Sequence, residues 1–139
     1  MTAVRSWAEV DALPRHNPAS LSKADIPVSS GVYAWYRNGQ AIYVGKATSL
    51  RSRTWSQHLG GSRSLHTSAF RRNVAEHLGC GAAKDIYLGL VRLDEGQLRA
   101  VRDWIQGCQV SWSECSSHSE AVELEASLKA EFLPVLTKR

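Results

Sequence analysis

The sequence has little of what marks a secreted or membrane protein. Across its 139 residues no apolar run approaches the roughly 18 residues that a membrane-spanning helix needs, and the first residues lack the basic-then-apolar pattern of a secretory signal. The three cysteines are odd in number and widely spaced, which argues against a disulfide framework and a structural zinc site. We therefore expect a cytoplasmic protein with no membrane partner, in which Cys80, Cys108 and Cys115 are buried or inert thiols.

Internal repeats, low-complexity segments and room for a second core are also missing. The chain is 43% hydrophobic and 22% charged, an ordinary globular mixture that excludes wholesale disorder and fibrous repeats. Its length fits one domain. Three of the four prolines fall within the first 30 residues. We therefore assign residues 1–29 to a lead-in segment with one short helix near residues 6–13, and residues 30–139 to a single domain.

Basic residues are in excess and unevenly distributed. The net charge of +4 fits a polyanionic partner but is weak on its own. No acidic residue interrupts the run of Arg37, Lys46, Arg51, Arg53, Arg63, Arg71 and Arg72. The stretch from Glu114 to Glu131 contains five glutamates, counting both ends. The pattern indicates a phosphate-facing half and a separate acid-bearing element.

Alternation and capping patterns predict a small α+β domain. Residues 32–36 and 41–44, separated by Asn38-Gly39, predict a β-hairpin, and residues 108–115 predict a third strand. Residues 85–93 are rich in strand formers but alternate poorly. Four helices are predicted after the hairpin. The first starts after Thr48 or Ser49 and ends at Gly60-Gly61, and the second spans residues 68–78. The third runs from the Asp94 and Gln97 capping pair to Gly107, and the fourth runs from Ser119 to about Leu133. The sum is a mainly antiparallel three-stranded sheet with flanking helices.

The hairpin turn decides whether two tyrosines share a face. A two-residue turn would place Tyr33 and Tyr43 on opposite faces, whereas a three-residue loop with Gly39 in the left-handed conformation pairs Tyr36 with Gln40 and sets the tyrosines directly opposite each other. We prefer the second register because it separates a largely apolar face from the rest. That face contains Val32, Ala34, Tyr36, Ile42 and Val44, and the other contains Tyr33, Trp35, Ala41 and Tyr43. The alternative is an aromatic pair that only stabilises the sheet.

One glutamate of the final helix is predicted to point inward. Steps of about 100° place Glu125 on the same side as Ala121, Leu128 and Phe132, and place Glu120, Glu123 and Glu131 on the other side. A buried carboxylate costs several kcal/mol unless it is paired or binds a metal. Glu125 is therefore either a functional residue, a partner in a buried salt bridge, for example with Arg53, or a residue at the edge of the stripe that reaches solvent.

Several short motifs follow one another in a known order. They are Gly31-Val32-Tyr33, Tyr43-Val44-Gly45-Lys46, the pair Leu50 and Arg53, and Glu120-Ala121 through Leu124-Glu125 to Pro134. The two tyrosines are ten residues apart, the arginine follows the second tyrosine by ten, and the proline follows the last glutamate by nine. In order and spacing the set resembles the GIY-YIG nuclease signature, and it is similar to that of the family's excision-repair incision nucleases. The stretch between Gly60 and Gly107 is longer than in compact members.

The resemblance implies a divalent-metal-dependent endonuclease that hydrolyses phosphodiester bonds in duplex or branched DNA. Glu125 matches the family's metal-ligating carboxylate, which would hold Mg²⁺ or Mn²⁺ together with water and phosphate oxygens. Tyr43 or Tyr33 would orient and deprotonate the attacking water, while Arg53 and Lys46 would bind phosphate and offset transition-state charge. Acting as a small standalone domain, the protein would take its specificity from DNA shape, a homodimer or a partner protein.

Two positions need comment beside the family pattern. Many members carry Asn three residues after the proline, where this chain has Thr137, so a hydroxyl replaces the amide or its role has moved. Some members place a histidine soon after the helix arginine. His58 is the candidate catalytic histidine here, although five residues beyond Arg53 it would point about 140° away on an ideal α-helix. His66 and His77 receive no catalytic assignment.

Two other functions fit parts of the sequence. A non-catalytic nucleic-acid-binding module with the same fold would explain Thr137, and a protein-interaction domain would use the five tryptophans. Metal-dependent nicking of plasmid DNA separates the nuclease from the binding module. Salt-sensitive DNA binding argues against the interaction domain.

Overall fold

A three-stranded antiparallel sheet is the centre of the molecule. The computed structural model describes residues 4–59 and 64–138. Within them β1 (Gly31–Arg37), β2 (Gln40–Ala47) and β3 (Gln109–Glu114) pair in the order β2-β1-β3, and both neighbours of β1 run antiparallel to it. The predicted α+β class, a three-stranded antiparallel sheet with flanking helices, is confirmed.

Helices surround the sheet. In the described part of the chain they are α1 (Trp7–Asp11), a π-helix (Ser52–His58), α2 (Ala69–His77), α3 (Ala83–Tyr87), α4 (Glu95–Gln106) and α5 (His118–Glu131). Two short 3₁₀ turns lie at Pro18–Ser20 and Lys23–Asp25. None of the helices described is long and apolar enough to cross a membrane.

Side-chain caps fix most helix starts where the sequence predicts them. Ser6 caps α1 and Ser68 caps α2, each at the start of a predicted helix range, and the predicted Asp94 and Gln97 capping box of α4 is present. The prediction for α5 is wrong by two residues, because Ser117 rather than Ser119 accepts the N–H of Glu120. The predicted helix end at Gly60-Gly61 and the basic residue Arg63 lie outside the described residues.

Residues 85–93, which are rich in strand formers, form part of a helix and a turn. The helix α3 ends at Tyr87, and Gly89 then turns the chain with a φ of 76°. Ala83 and Ile86 are three residues apart and therefore share one buried helix side, which packs with α2 rather than extending the sheet.

The hairpin turn differs from the predicted three-residue loop. Asn38 and Gly39 form a two-residue turn with φ of 52° and 77°, and Arg37 pairs with Gln40. Positive φ at both positions matches the twist of the flanking strands. Gly39 adopts the predicted left-handed conformation, but the predicted pairing of Tyr36 with Gln40 is wrong.

A β-bulge at Ile42 brings the two tyrosines back to one face. Trp35 pairs with Tyr43 while the residue after Trp35 pairs with Ala41, so Ile42 is an extra residue of β2. Beyond the bulge every side chain of β2 changes face, which places Tyr43 on the face of Tyr33. The predicted shared face is confirmed, and the predicted direct pairing is wrong. Ala41 and Ile42 lie on the faces opposite to those predicted.

Both faces of the sheet are covered. One face packs against α1 and α5 in a core that includes Val32, Ala34, Tyr36, Val44, Trp7, Val10, Ala121 and Leu128. The other face packs against α2 and α4 in a core that includes Tyr33, Trp35, Tyr43, Phe70, Val74, Val101 and Ile105. The lead-in segment also pairs His16 with Val110 of β3. The edge of β2 is lined by the end of the chain, where the Leu136 N–H donates to the Ile42 carbonyl at 2.8 Å.

The cysteines are packed thiols. Cys108 and Cys115 are buried and Cys80 is half-buried. Burial raises the pKa of each thiol, to about 11 for Cys115. They are therefore protonated and weakly nucleophilic near neutral pH.

Candidate active site

Tyr33 and Tyr43 stack on one face of the sheet. Their ring centroids are 6.2 Å apart and their planes differ by 25°. Gly45 lies opposite Tyr33, and a side chain there would collide with the Tyr33 hydroxyl. This close approach explains the glycine of the second motif. Both rings are buried, but only Tyr43 also borders the cleft described below.

The segment after β2 winds as a π-helix, which changes where His58 points. The Leu59 N–H donates to the Thr54 carbonyl five residues earlier, at 3.1 Å. Residues five apart in such a helix lie on nearly the same side. The expectation that His58 points far from Arg53 assumed an α-helix and is wrong, because the wider turn carries both toward the tyrosines.

His58 joins the first tyrosine to the start of α2. Its Nε2 lies 2.7 Å from the Tyr33 hydroxyl and its Nδ1 lies 2.6 Å from Ser68 Oγ. Ser68 Oγ in turn accepts the Arg71 backbone N–H at 3.1 Å, as the cap of α2. With 2% exposure the imidazole is sealed from solvent. The N-terminus of α2 therefore fixes the imidazole, and the imidazole fixes the Tyr33 hydroxyl.

Burial and positive charge keep the imidazole neutral. Burial lowers the pKa of His58 well below its usual value of 6.5, and the charges of Arg53, Arg71 and Arg72 lower it further. A neutral imidazole has one donor and one acceptor nitrogen. His58 can therefore donate to one of its two hydroxyl partners and accept from the other.

The two tyrosines differ in their electrostatic surroundings. Burial and the neighbouring Tyr43 raise the pKa of Tyr33 well above 10.0. Burial and Glu125 also raise the pKa of Tyr43, but a hydrogen bond from Tyr33 and the charges of Arg53 and Arg72 act to lower it. Tyr43 is thus the tyrosine whose phenolate receives a donor and two positive charges.

The neutral imidazole predicts a pH dependence of stability. Because the pKa of His58 is lower in the folded chain than the usual 6.5, the unfolded chain takes up a proton first as the pH falls. The stability that the neutral imidazole contributes is therefore fully present above about pH 6.5. As the pH is lowered further, the free energy of unfolding should fall by up to about 1.4 kcal/mol per pH unit. The lowered pKa values of Asp25, Glu76 and Glu120 act below pH 4.5, outside this window.

Urea unfolding at about pH 7.5 and about pH 5.5 measures this dependence. His58→Gln keeps a polar side chain but cannot take up the proton, so its stability should change less between the two conditions. His77→Gln, at an exposed histidine, is the matched control and should behave as the parent. Equal pH dependence in the parent and in His58→Gln would show that His58 is not held neutral.

Glu125 is buried on the inner side of α5. Its exposure is 8%, and the neighbouring stripe residues Ala121 and Leu128 are fully buried. Phe132 was also predicted to face inward, but the helix ends at Glu131 and its ring is 43% exposed. The inward position of Glu125 is therefore confirmed, and that of Phe132 is wrong.

Two lysines hold the buried carboxylate. Glu125 Oε1 lies 3.2 Å from Lys46 Nζ and 3.4 Å from Lys129 Nζ. A buried salt bridge, for example with Arg53, is one of the alternatives drawn from the sequence, and the ion pairs described for Glu125 involve these lysines. Lys129 is four residues beyond Glu125 on α5, a spacing that the sequence already contains. Both ammonium groups are partly exposed, so the pairs are screened by water.

A cleft of about 340 Å³ opens at the edge of β2. Its lining comes from β2, from α2, α3 and α5, and from residues 137 and 138. The full lining is Tyr43, Val44, Ala69, Arg72, Asn73, Ala83, Lys84, Tyr87, Glu125, Lys129, Thr137 and Lys138. Tyr33 and His58 lie behind Tyr43, Lys46 reaches Glu125, and Arg53 acts on the tyrosines from the π-helix. The lining therefore contains four cationic side chains and one carboxylate, that of Glu125; the cations are Arg72, Lys84, Lys129 and Lys138.

Thr137 has a defined place in this cleft. Its hydroxyl is buried and accepts the Val44 backbone N–H at 2.9 Å, which ties the end of the chain to β2 beside Tyr43. A carboxamide is present as well, since Asn73 of α2 lines the cleft and donates to the Leu136 carbonyl at 2.8 Å.

Several residues that line the cleft or contact its tyrosines and histidine are not predicted as site residues from the sequence. They are Ser68, Arg72, Asn73, Lys84 and Lys129. Ser68 was predictable as a helix cap and Arg72 as a member of the basic run, but neither signal indicates proximity to Tyr43. His66 stacks on Tyr87 and His77 packs near Trp104, so both rings have aromatic partners.

The order of these elements and residues agrees with a known catalytic domain. The family model described as the GIY-YIG catalytic domain matches residues 29–139. The chain belongs to the GIY-YIG family. Members of this family are nucleases, and the resemblance drawn from the motifs is confirmed.

Two relatives illustrate the family. UvrABC system protein C of Fusobacterium nucleatum is 39% identical over 56 residues, which cover 40% of this chain and 10% of that protein. The chain therefore corresponds to only a small part of that relative. A crystal structure of the GIY-YIG N-terminal endonuclease domain of UvrC from Thermotoga maritima, bound to its catalytic magnesium, matches with 20% identity and a TM-score of 0.40. That match covers 80% of this chain and 85% of the solved one.

Proposed function

We propose that the chain is a divalent-metal-dependent endonuclease that hydrolyses phosphodiester bonds in DNA. The observation that carries this proposal is the joint presence of Tyr43 and the buried Glu125 in one cation-lined cleft. Arginine and lysine side chains are the groups that bind phosphate, so a cleft of this composition suits a nucleic-acid backbone. A cytoplasmic location, and specificity through a homodimer or a partner protein, are part of the same proposal.

The donor set fits a hard divalent cation such as Mg²⁺ or Mn²⁺. Mg²⁺ in proteins is often held by one or two carboxylates, with water and substrate phosphates completing its shell. Glu125 supplies a carboxylate at the wall of a cleft that has room for water and phosphate. No group of three or more His, Cys, Asp or Glu side chains in the described part of the chain could hold a metal by protein ligands alone. When bound, the cation would stabilise charge on the scissile phosphate and the leaving oxygen.

Tyr43 is the better candidate for the general base. It borders the cleft, while Tyr33 is sealed behind it and is engaged by His58. As the phenolate, Tyr43 would accept a proton from the attacking water while the water oxygen forms its bond to phosphorus and the P–O bond to the leaving oxygen breaks. Tyr33 would donate to the Tyr43 oxygen, and His58 would hold Tyr33 in position for that bond.

Two cations are proposed to bind the scissile phosphate. Arg53 lies on the π-helix within electrostatic reach of both tyrosines, and its planar fork can take two phosphate oxygens. Lys46 approaches the same region as a point charge through its contact with Glu125. Their positive charge would offset the negative charge that develops in the transition state.

One observation favours a second candidate function. The charge of Glu125 is already balanced by Lys46 and Lys129, so the buried carboxylate is stable without a metal. A non-catalytic nucleic-acid-binding module could keep this arrangement. It would bind nucleic acid in the basic cleft without hydrolysing it.

Nicking of supercoiled plasmid separates the two functions. We expect the parent chain to nick plasmid in Mg²⁺ or Mn²⁺ and to be inactive in EDTA, because hydrolysis at a useful rate needs the cation's charge. Duplex, flap, branched and single-stranded substrates would then identify the preferred DNA shape. If the chain binds plasmid with a steep salt dependence but does not nick it in either metal, it is the binding module.

A further inference from the structure

Arg72 of α2 lies in the wall of the cleft that α2 and α3 form. Its Nη1 donates to the Leu65 carbonyl at 2.9 Å and to the His66 carbonyl. Its guanidinium lies 4.8 Å from the centroid of the Tyr87 ring, a cation–π contact. Tyr87 is itself steadied by His66, whose ring stacks on it at 4.5 Å. These partners are neutral, so they orient the guanidinium without cancelling its charge.

The anchoring leaves capacity for a ligand. Arginine has five N–H donors in a planar fork, and both carbonyl contacts described above use one nitrogen. Arg72 is half-buried and lines the cleft together with Tyr43, whose pKa its charge acts to lower. A guanidinium that is fixed in plane, charged and next to a reactive cleft is well suited to grip an anion with two oxygens.

Lys84 extends this positive wall. It lies on α3 and lines the same cleft, three residues before Tyr87. Lys129 of α5 lines the cleft as well. The cleft therefore carries positive charge on α2, α3 and α5, which matches the repeated phosphates of a nucleic-acid strand better than a single small anion.

We propose that Arg72, held in place by Tyr87, is a second phosphate-binding residue that contacts the DNA phosphodiester next to the scissile bond. This inference rests on the proposed function because it takes DNA as the substrate. The ligand is a backbone phosphate, so the contact fixes the position of the strand and carries no base specificity. The wall formed by α2 and α3 would then bind the DNA strand in the cleft that Tyr43 borders.

The test measures DNA binding by the full chain in EDTA, so that metal-dependent cleavage does not interfere. A short labelled DNA duplex is titrated at several salt concentrations. Arg72→Met keeps the length of the side chain but removes its charge. We expect binding to weaken about tenfold or more and the slope of log K against log salt to fall by about one. Arg72→Lys should retain much of the slope, because it keeps the charge but loses the fork.

Matched variants separate a specific contact from general loss of charge or fold. Arg99→Met removes one exposed charge on α4, away from the cleft, and should leave affinity and slope nearly unchanged. Tyr87→Leu removes the ring beneath Arg72 and should weaken binding, whereas Tyr87→Phe keeps the ring and should bind more tightly than Tyr87→Leu. Adding Tyr87→Leu to Arg72→Met should cost little more, since both act through one contact. Thermal unfolding of each variant checks the fold.

The outcomes of this test and of the nicking assay are distinct. If folded Arg72→Met binds with the parent's affinity and salt slope, the second phosphate site is absent, whether or not the parent cleaves. If Arg72→Met does not fold, the other two variants decide. A parental salt slope in Arg72→Lys together with weak DNA binding by folded Tyr87→Leu supports the site. Parental DNA binding by Tyr87→Leu overturns it. A parent that binds through Arg72 but never nicks DNA overturns the nuclease proposal alone.

Discussion

Replacing Glu125 with Gln should abolish metal-dependent cleavage of DNA while the chain remains folded. Gln has nearly the same volume as Glu, so no cavity opens on the inner side of α5. It lacks the negative charge that a hard divalent cation requires. Removing a metal's stabilisation of the transition state, worth several kcal/mol, should slow cleavage by at least about a hundredfold.

The ion pairs of Glu125 indicate that the fold will tolerate this change. Lys46 and Lys129 are 39% and 25% exposed, so each ammonium can turn toward water when its partner becomes neutral. Pairs that are screened in this way typically contribute about 0 to 1 kcal/mol. We therefore expect only a small fall in the free energy of unfolding, measured in urea.

The control is Glu123→Gln on the exposed side of the same helix, which should cleave as the parent does. Metal binding, followed by calorimetry with Mn²⁺, should be lost in Glu125→Gln and kept in Glu123→Gln. If Glu125→Gln cleaves as fast as the parent, Glu125 is a structural ion-pair residue. If it unfolds and the parent is also inactive, the metal-binding role fails as well.

Local geometry made part of this site predictable. The inward position of Glu125 follows from its spacing to Ala121 and Leu128, because a helix fixes the direction of side chains a few residues apart. The caps Ser68 and Asp94 follow from the same short-range rules. Such features depend on neighbours in sequence, which a single chain displays.

The hairpin was only partly predictable because its register depends on contacts outside it. Asn38-Gly39 indicates the turn, but the bulge at Ile42 depends on which side chains the two cores require. With the bulge, Tyr43 enters the core that contains Phe70, and Ile42 moves to that face as well. Burial on both faces means that partition into apolar and polar sides could not select the register.

The position of His58 was not predictable from helical periodicity. The π-helix brings it to Tyr33 and Ser68, which are 25 and 10 residues away in sequence. The wall around Arg72 has the same origin, since it arises where α3 packs on α2. Sites built from contacts between distant segments leave no period in the sequence, and only the residue types remain as a signal.

Tyr43→Phe should lose most cleavage activity, whereas Tyr33→Phe should lose less. The hydroxyl of Tyr43 borders the cleft and is the proposed proton acceptor, so its removal should lower kcat by about 10²- to 10⁴-fold. Tyr33 acts through its neighbour. Its hydrogen bond helps to lower the pKa of Tyr43, which burial and Glu125 raise. Losing that bond should raise the pKa of Tyr43 and move the rising limb of the pH–rate profile to higher pH.

Stability separates the two tyrosine variants further. Tyr33→Phe removes a partner of the buried His58 Nε2, which should cost about 1 to 3 kcal/mol of folding free energy. Tyr43→Phe leaves that bond in place but removes the acceptor of the Tyr33 hydroxyl, so it should be destabilised by less than Tyr33→Phe. Rates across pH, measured on plasmid at saturating metal, give the comparison. If folded Tyr33→Phe is slower than Tyr43→Phe and its pH profile does not move, Tyr33 is the base and the assignment is reversed. The cleft-facing tyrosine would then only position the water, and the proton would leave through His58.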